Sequence, residues 1–333
     1  MNNRGSILII VLWALFILGA LAVAISGYVG ARINVSAKLS ERARNYCLAR
    51  GGVERAILEI KNDSTEKYDA AGDSWDNNDA VFKEVKLGDG TYSVTPFSWT
   101  ESGEEAVKYG LSDEESKINV NKVSKDVLKN FLRIACGMGP EDAGDIAASI
   151  VNWRSPADRA EKDGAGAFYY RTLDRPYNCR NAPIEVPEEL LLIRGVTPDI
   201  FNKVRSRLTI YGSGAVNINT ADAVVLQAVG MDEALALKVI DFRKRKSAGS
   251  GDTDNTVFDD LSQVTALLAK KESISAEESG KINNLIGSRL LSITSDNFGG
   301  VAAGSLGGRT TAGSGSITFV FDRVNNVVRY WRE

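Results

Sequence analysis

The chain has 333 residues, 44% of them hydrophobic and 25% charged, which is enough for one or two buried cores. Its net charge of −3 offers no broad attraction to nucleic acid or anionic lipid. Histidine is absent, which removes Ser-His-Asp triads, Cys-His nucleophiles and histidine-ligated zinc together. No pairing at a meaningful spacing, such as a Ser-x-x-Lys in a convincing context, replaces them, so no catalytic activity is expected. The three cysteines, Cys47, Cys136 and Cys179, have no CxxC spacing. They read as small buried thiols, with a Cys136–Cys179 disulfide as the alternative in an oxidising compartment.

The opening "MNNRGSILIIVLWALFILGALAVAISGYVGAR" carries no charge between Gly5 and Ala31. Its apolar run from Ile7 to Ile25 exceeds the centre of an ordinary secretory signal and matches the roughly 20 residues that span a bilayer as a helix. Arg4 and the free amine precede it, and Arg32 and Lys38 follow at a distance, so the N-terminus is read as cytoplasmic and the remainder as exported by a single pass. Apolar residues then recur at helical steps, Leu39, Ala43, Tyr46, Cys47, Val53, Ile57 and Ile60, with charges between them. The spacing predicts one continuous helix from Ser6 to about Lys61, apolar on every side at first and on one side later.

The polar segment 62–80 reads as a loop, in which Asp73, Asp76 and Asp79 lack the pattern of an EF-hand. "FKEVKLGDGTYSVTPFSW" alternates around Gly88-Asp89-Gly90 and predicts a β-hairpin. From Ser116 the chain repeats itself. "KINVNKVSKDVL" and "AVNINTADAVVL" align without a gap, pairing Asn119 with Asn217 and Asn121 with Asn219. Each predicts a short strand, a helix capped by Ser124 or Thr220, a glycine turn and a second helix. A related hairpin is expected between them in "VPEELLLIRGVTPDIFNKVRSRLTIYG". The Gly/Ser-rich stretch 298–316 reads as a flexible loop. "RLLSITS" before it and "SITFVFD" and "NVVRYWRE" after it predict strands that join the first hairpin in one sheet.

With "VPEELLLIRGVTPDIF", "LTIYGSGAVNINTA" and "FVFDRVNNVVRYWRE" in that order, the whole chain resembles a type II secretion minor pseudopilin of the K type, general secretion pathway protein K. The resemblance implies an α+β fold: a pilin-like long helix packed on an antiparallel sheet, with a large all-helical insertion of helix-hairpin-helix (SAM-like) repeats. The expected domains are a leader at 1–5, a transmembrane helix at 6–31, the amphipathic half-helix at 32–62, the first part of the pilin-like domain at 63–115, the insertion at 116–285 and the closing strands at 286–333.

The resemblance also implies cleavage by a prepilin peptidase between Gly5 and Ser6, N-methylation of Ser6, and assembly at the pseudopilus tip. Expected partners are the I- and J-type minor pseudopilins, the major pseudopilin, the inner-membrane assembly platform and the lipid bilayer, without nucleic acid. Ile10 stands where most pilin-like subunits carry glutamate. Leu39, Ala43, Tyr46, Val53, Ile57 and Ile60 are the expected partner or core face. Some relatives bind calcium in the insertion; here Asn152 and Ser155 stand where acids are common, leaving Asp158, Glu161 and Asp163 as candidate ligands. The alternative is a membrane-anchored helix-hairpin-helix protein of a DNA-uptake or type IV pilus system, which would offer the turns at Gly137, Gly139 and Gly230 to phosphates. Glu141, Asp142, Asp232 and Glu233 beside those turns oppose it.

Overall fold

In the computed structural model, residues 4–63, 65, 67–97, 108–156, 161–244, 256–307 and 315–333 are described. One helix, α1 (Arg4–Lys61), runs unbroken from the apolar start into the folded body. Its 58 residues reach about 87 Å at 1.5 Å per residue. Then come α2 (Asp79–Phe82), β1 (Val85–Leu87), β2 (Gly90–Pro96) and β3 (Ser112–Asp113). A first helical unit holds β4 (Ile118–Asn119), α3 (Lys125–Cys136), α4 (Pro140–Arg154), α5 (Ala167–Arg171), α6 (Pro198–Val204) and β5 (Leu208–Thr209). A second holds β6 (Val216–Asn217), α7 (Ala223–Val229), α8 (Glu233–Lys244), α9 (Val264–Glu272), α10 (Ala276–Gly287) and β7 (Leu291–Ser292). The chain closes with β8 (Asn297–Leu306), β9 (Ser316–Asp322) and β10 (Val327–Arg332).

The main sheet is antiparallel, in the order β1-β2-β8-β9-β10, with β3 continuing β2 along the same side of β8. The C-terminal part of α1 lies on it and buries Ala49, Val53, Ala56 and Ile60 against Tyr92, Val94, Phe298, Ala302 and Phe319. A long helix on an antiparallel sheet is thus the frame, as expected. The Gly/Ser-rich stretch 298–316 is a correction. Its first part is not a loop but β8, the middle strand of the sheet. The glycines that looked like flexibility serve close approach. A Cβ on Gly304 would overlap the Asn45 carbonyl oxygen of α1, and one on Gly300 would lie 2.6 Å from Leu111 Cδ2. Residues 308–314 of that stretch lie outside those described.

The duplication extends further than the sequence pattern suggests. Asn119 Oδ1 accepts the Asn121 N–H at 2.9 Å, and Asn217 Oδ1 accepts the Asn219 N–H at 3.0 Å. Asn121 exchanges two hydrogen bonds with the Ile184 backbone, both 2.8 Å, and Asn219 exchanges two with the Phe258 backbone, both 2.9 Å. At the end of the second helix of each unit an arginine ties down the loop before the first. Arg154 donates to the carbonyls of Val120 and Val123, and Arg243 to those of Ile218 and Ala221.

Each unit is closed by a parallel strand pair, β4 with β5 and β6 with β7. Two further corrections follow. The hairpin expected between the units is the closing half of the first, and α9 and α10 occupy the matching place in the second. Leu291–Ser292, expected in the main sheet, pairs with Val216–Asn217 and ends the second unit beyond the expected limit at 285. Ser124 caps α3 as expected, but Asp222 replaces Thr220 as the cap of α7.

Asn219 is 2% exposed, so Asn219→Ala would leave a buried N–H and a buried carbonyl of Phe258 unpaired. The expected loss is about 2–4 kcal/mol in denaturant unfolding. Asn121→Ala, at the half-buried matching position, is expected to cost less.

Candidate functional site

The chemistry-bearing features lie along α1 and at the join between the sheet and the helical units. The described side chains from Ile7 to Val29 and from Ile33 to Arg44 are exposed. The apolar part has a mean hydropathy of 3.0 with none of it buried, so it is long and apolar enough to cross a membrane. Gly5 and Ser6 sit in its first turns, and Ile10 is 64% exposed. The expected partner face divides along its length. Val53 and Ile60 are buried on the sheet, Tyr46 and Ile57 are half-buried at its border, and Leu39 and Ala43 are exposed. Glu333, beyond the end of β10, hydrogen-bonds the Tyr46 hydroxyl and pushes its pKa up.

The join is the five-residue run Asp113–Lys117. Its three consecutive acids are 4%, 2% and 4% exposed. Asp113 Oδ1 caps the turn through the Glu115 N–H at 2.8 Å, while Oδ2 accepts from Asn217 Nδ2 at 3.0 Å and from the Thr220 hydroxyl. Glu114 accepts from Lys117 Nζ at 2.6 Å and from Thr209 Oγ1 at 2.7 Å. Glu115 accepts from the Asn297 N–H at 3.1 Å and Asn297 Nδ2 at 3.0 Å. One turn therefore touches β8 of the sheet, β5 of the first unit and β6 of the second. Nearby, Arg323 makes two bonds to Asp69, at 2.9 and 2.8 Å, and Asn217 Nδ2 reaches the Asp69 carbonyl at 3.0 Å.

Burial pushes Asp113, Glu115 and Asp69 up against the pull of their donors. Asp113 is raised to about 6, and Glu115, which also faces Asp113, to about 8. Asp69 is raised by burial despite Arg323, and Asp73 is raised to about 6, again by burial.

Sequence reasoning missed this join, because neighbouring acids ordinarily mark a solvated loop. Asp73, Asp76 and Asp79 read as residues of a loop that lacks the EF-hand pattern. In the structure Asp73 and Asp76 accept backbone N–H groups of Ala70 and Gly72, and Asp79 pairs with Lys83. Asp63, Asp69 and Asp73 do gather their oxygens within 4.8 Å, but the Arg323 guanidinium already supplies the positive charge there.

The calcium candidates are not assembled among the described residues. Asp158 lies outside them, Asp163 is exposed, and Glu161 pairs with Lys125 at 2.7 Å. Asn152 ties that loop down instead: its amide donates to the Glu161 carbonyl at 2.9 Å and accepts the Glu161 N–H at 2.5 Å. Calcium needs several converging oxygens, and among the described residues Glu161 and Asp163 belong to no such group. Trp153 and Tyr170 pack edge to face at 5.1 Å, and burial pushes the Tyr170 hydroxyl up to about 12. Cys136 and Cys179 are free thiols, which corrects the candidate disulfide. Cys179 is buried with its Sγ 3.9 Å from the Asn152 carbonyl oxygen, and Cys136 is half-buried at the end of α3.

Residues 110–213, which hold the join and the whole first unit, match the family model described as type II secretion system (T2SS), protein K. That stretch is therefore similar to a type II secretion protein K domain. It is also similar in fold to a chain of the crystal structure of the GspK–GspI–GspJ complex from the enterotoxigenic Escherichia coli type 2 secretion system. The TM-score is 0.58 at 16% identity, covering 92% of this chain and 96% of that one. No curated protein matched the chain.

The join predicts a pH dependence. Asp113 and Glu115 hold their protons more tightly in the folded state than in the unfolded chain, so stability falls as pH rises from about 4 through about 8. Asp73 acts in the same direction, and no histidine titrates in this range. Unfolding in urea at pH 5 and pH 8 is expected to show higher stability at pH 5. Glu115→Gln is expected to remove about 1–3 kcal/mol of that difference.

Proposed function

We propose that the chain is a minor pseudopilin that caps the tip of the type II secretion pseudopilus and helps to start its assembly, in support of export of folded proteins across the outer membrane. The observation that carries this reading is the protein K domain mounted, with a second copy of its frame, at the end of β3 on the sheet that α1 crosses. Such a body beside the helix leaves room for subunits below and obstructs one above.

Position 10 supports the same direction. In the pilin-like arrangement an incoming glutamate pairs with the amine of the subunit above, which offsets a burial cost of roughly 2.5–3.5 kcal/mol for a charge in lipid. With Ile10 the chain needs no such partner, while its own Ser6 amine can receive the next subunit. On this reading the leader is cut between Gly5 and Ser6, Ser6 is methylated, the N-terminus begins in the cytoplasm and the folded body stands in the periplasm. Leu39 and Ala43, exposed on α1, are the side chains offered to the I- and J-type helices.

Mixing the chain in detergent with the I- and J-type pseudopilins encoded beside it is expected to give a ternary complex by size exclusion with light scattering. Absence of any complex overturns the proposal. Salt-sensitive binding of duplex DNA by the chain alone would instead favour the phosphate-binding alternative.

A further inference from the structure

A net charge of −3 hides a marked asymmetry. Between Arg32 and Arg44, where α1 stands clear of both the apolar span and the sheet, the chain carries Arg32, Lys38, Arg42 and Arg44 against Glu41 alone. With Arg4 set aside as well, the remaining residues, 45–333, carry a net charge of −7. A cationic stretch therefore separates the apolar span from an acidic body. For a chain with a cytoplasmic N-terminus these four cations lie on the side where the positive-inside rule does not call for them.

Their arrangement points to the partner. At about 100° per residue, and taking Arg32 as zero, Lys38 lies near 240°, Arg42 near 280° and Arg44 near 120°. The charges encircle the helix. A partner helix would be met by a one-sided stripe; a ring suits a surface that surrounds the helix on every side. The charge-free segment up to Ala31 spans about 40 Å as a helix, the thickness of a bilayer with its headgroups, which brings Arg32 to the membrane surface. Tyr28 sits one turn below, with the Arg32 guanidinium 4.5 Å from its ring centroid. Helical side chains lean toward the N-terminus, here toward the membrane, so Arg32 and Lys38 reach the headgroups, while Arg42 and Arg44, about one to two Debye lengths away, add a weaker, screened attraction. Arg44 is also paired with Asp89 at 3.4 Å, so part of its charge is met within the chain and its share in the collar is the smallest.

We propose that Arg32, Lys38, Arg42 and Arg44 form a collar that binds anionic phospholipid headgroups around α1, while the acidic body is held off the same surface. This rests on the reading of α1 as a membrane anchor.

The test reconstitutes the full chain into phosphatidylcholine vesicles containing a minority of phosphatidylglycerol and compares the association of spin-labelled forms of the two lipids with the protein. The expected result is a several-fold preference for phosphatidylglycerol that declines at high salt and falls to near parity in the R32Q/K38Q/R42Q/R44Q variant. The R32Q/K38Q variant should lie between. Equal association in the wild type and the fourfold variant, or a preference indifferent to salt, overturns the collar. Flotation with pure phosphatidylcholine vesicles tests the anchor separately: wild type and variant should both float, and failure to float contradicts the anchor reading itself.

Discussion

The arrangement of this molecule depends on a buried acidic turn, Asp113–Lys117, that is held at once by the sheet and by both helical units. Glu115 is fastened to Asn297, Glu114 to Thr209, and Asp113 to Asn217 and Thr220. Chain passing between two domains usually does so through exposed linkers, which permit relative motion. Here the connection is itself part of the packing, so the direction in which the helical body leaves the sheet is set by hydrogen bonds that tolerate little displacement. Keeping carboxyls there raises their affinity for protons, and that cost is the physical signature of the join.

Much of the fold was legible because long-range order left local traces. The apolar run followed by a helical stripe yields α1, and Gly88-Asp89-Gly90 marks the first hairpin. The ungapped match of Asn119 and Asn121 with Asn217 and Asn219 reveals a duplication whose physical purpose is the exchange of hydrogen bonds with Ile184 and Phe258. Other parts left no such trace. Leu208–Thr209 and Leu291–Ser292 are two-residue strands, too short to show a period, and only pairing in space reveals that they close equivalent units. In β8, glycine at 300 and 304 is demanded by the close approach of Leu111 and of the α1 backbone, a contact from far away in sequence. Composition alone therefore reads a central strand as a loop.

The candidate site was legible in proportion to its dependence on resemblance. Gly5, Ser6 and Ile10 take their meaning from a place in an assembly, and one chain shows only that the segment is helical and that Ile10 is exposed. The helix face was half readable: periodicity identifies the apolar positions but not which end meets the sheet, and the structure assigns Val53 and Ile60 to it while leaving Leu39 and Ala43 outside. Of the calcium candidates, Asp158 lies outside the described residues, and at Glu161 the Asn152 amide both donates and accepts where a carboxylate could only accept.

On the proposed reading these features combine into one account: a retained apolar helix carries a body that obstructs stacking, and position 10 asks for nothing above it. The most direct test is the position of this chain in assembled pseudopili. With an affinity tag placed after Glu333 and labelled with gold, electron microscopy is predicted to show label at one end of each filament, whereas label distributed along the shaft would contradict the account.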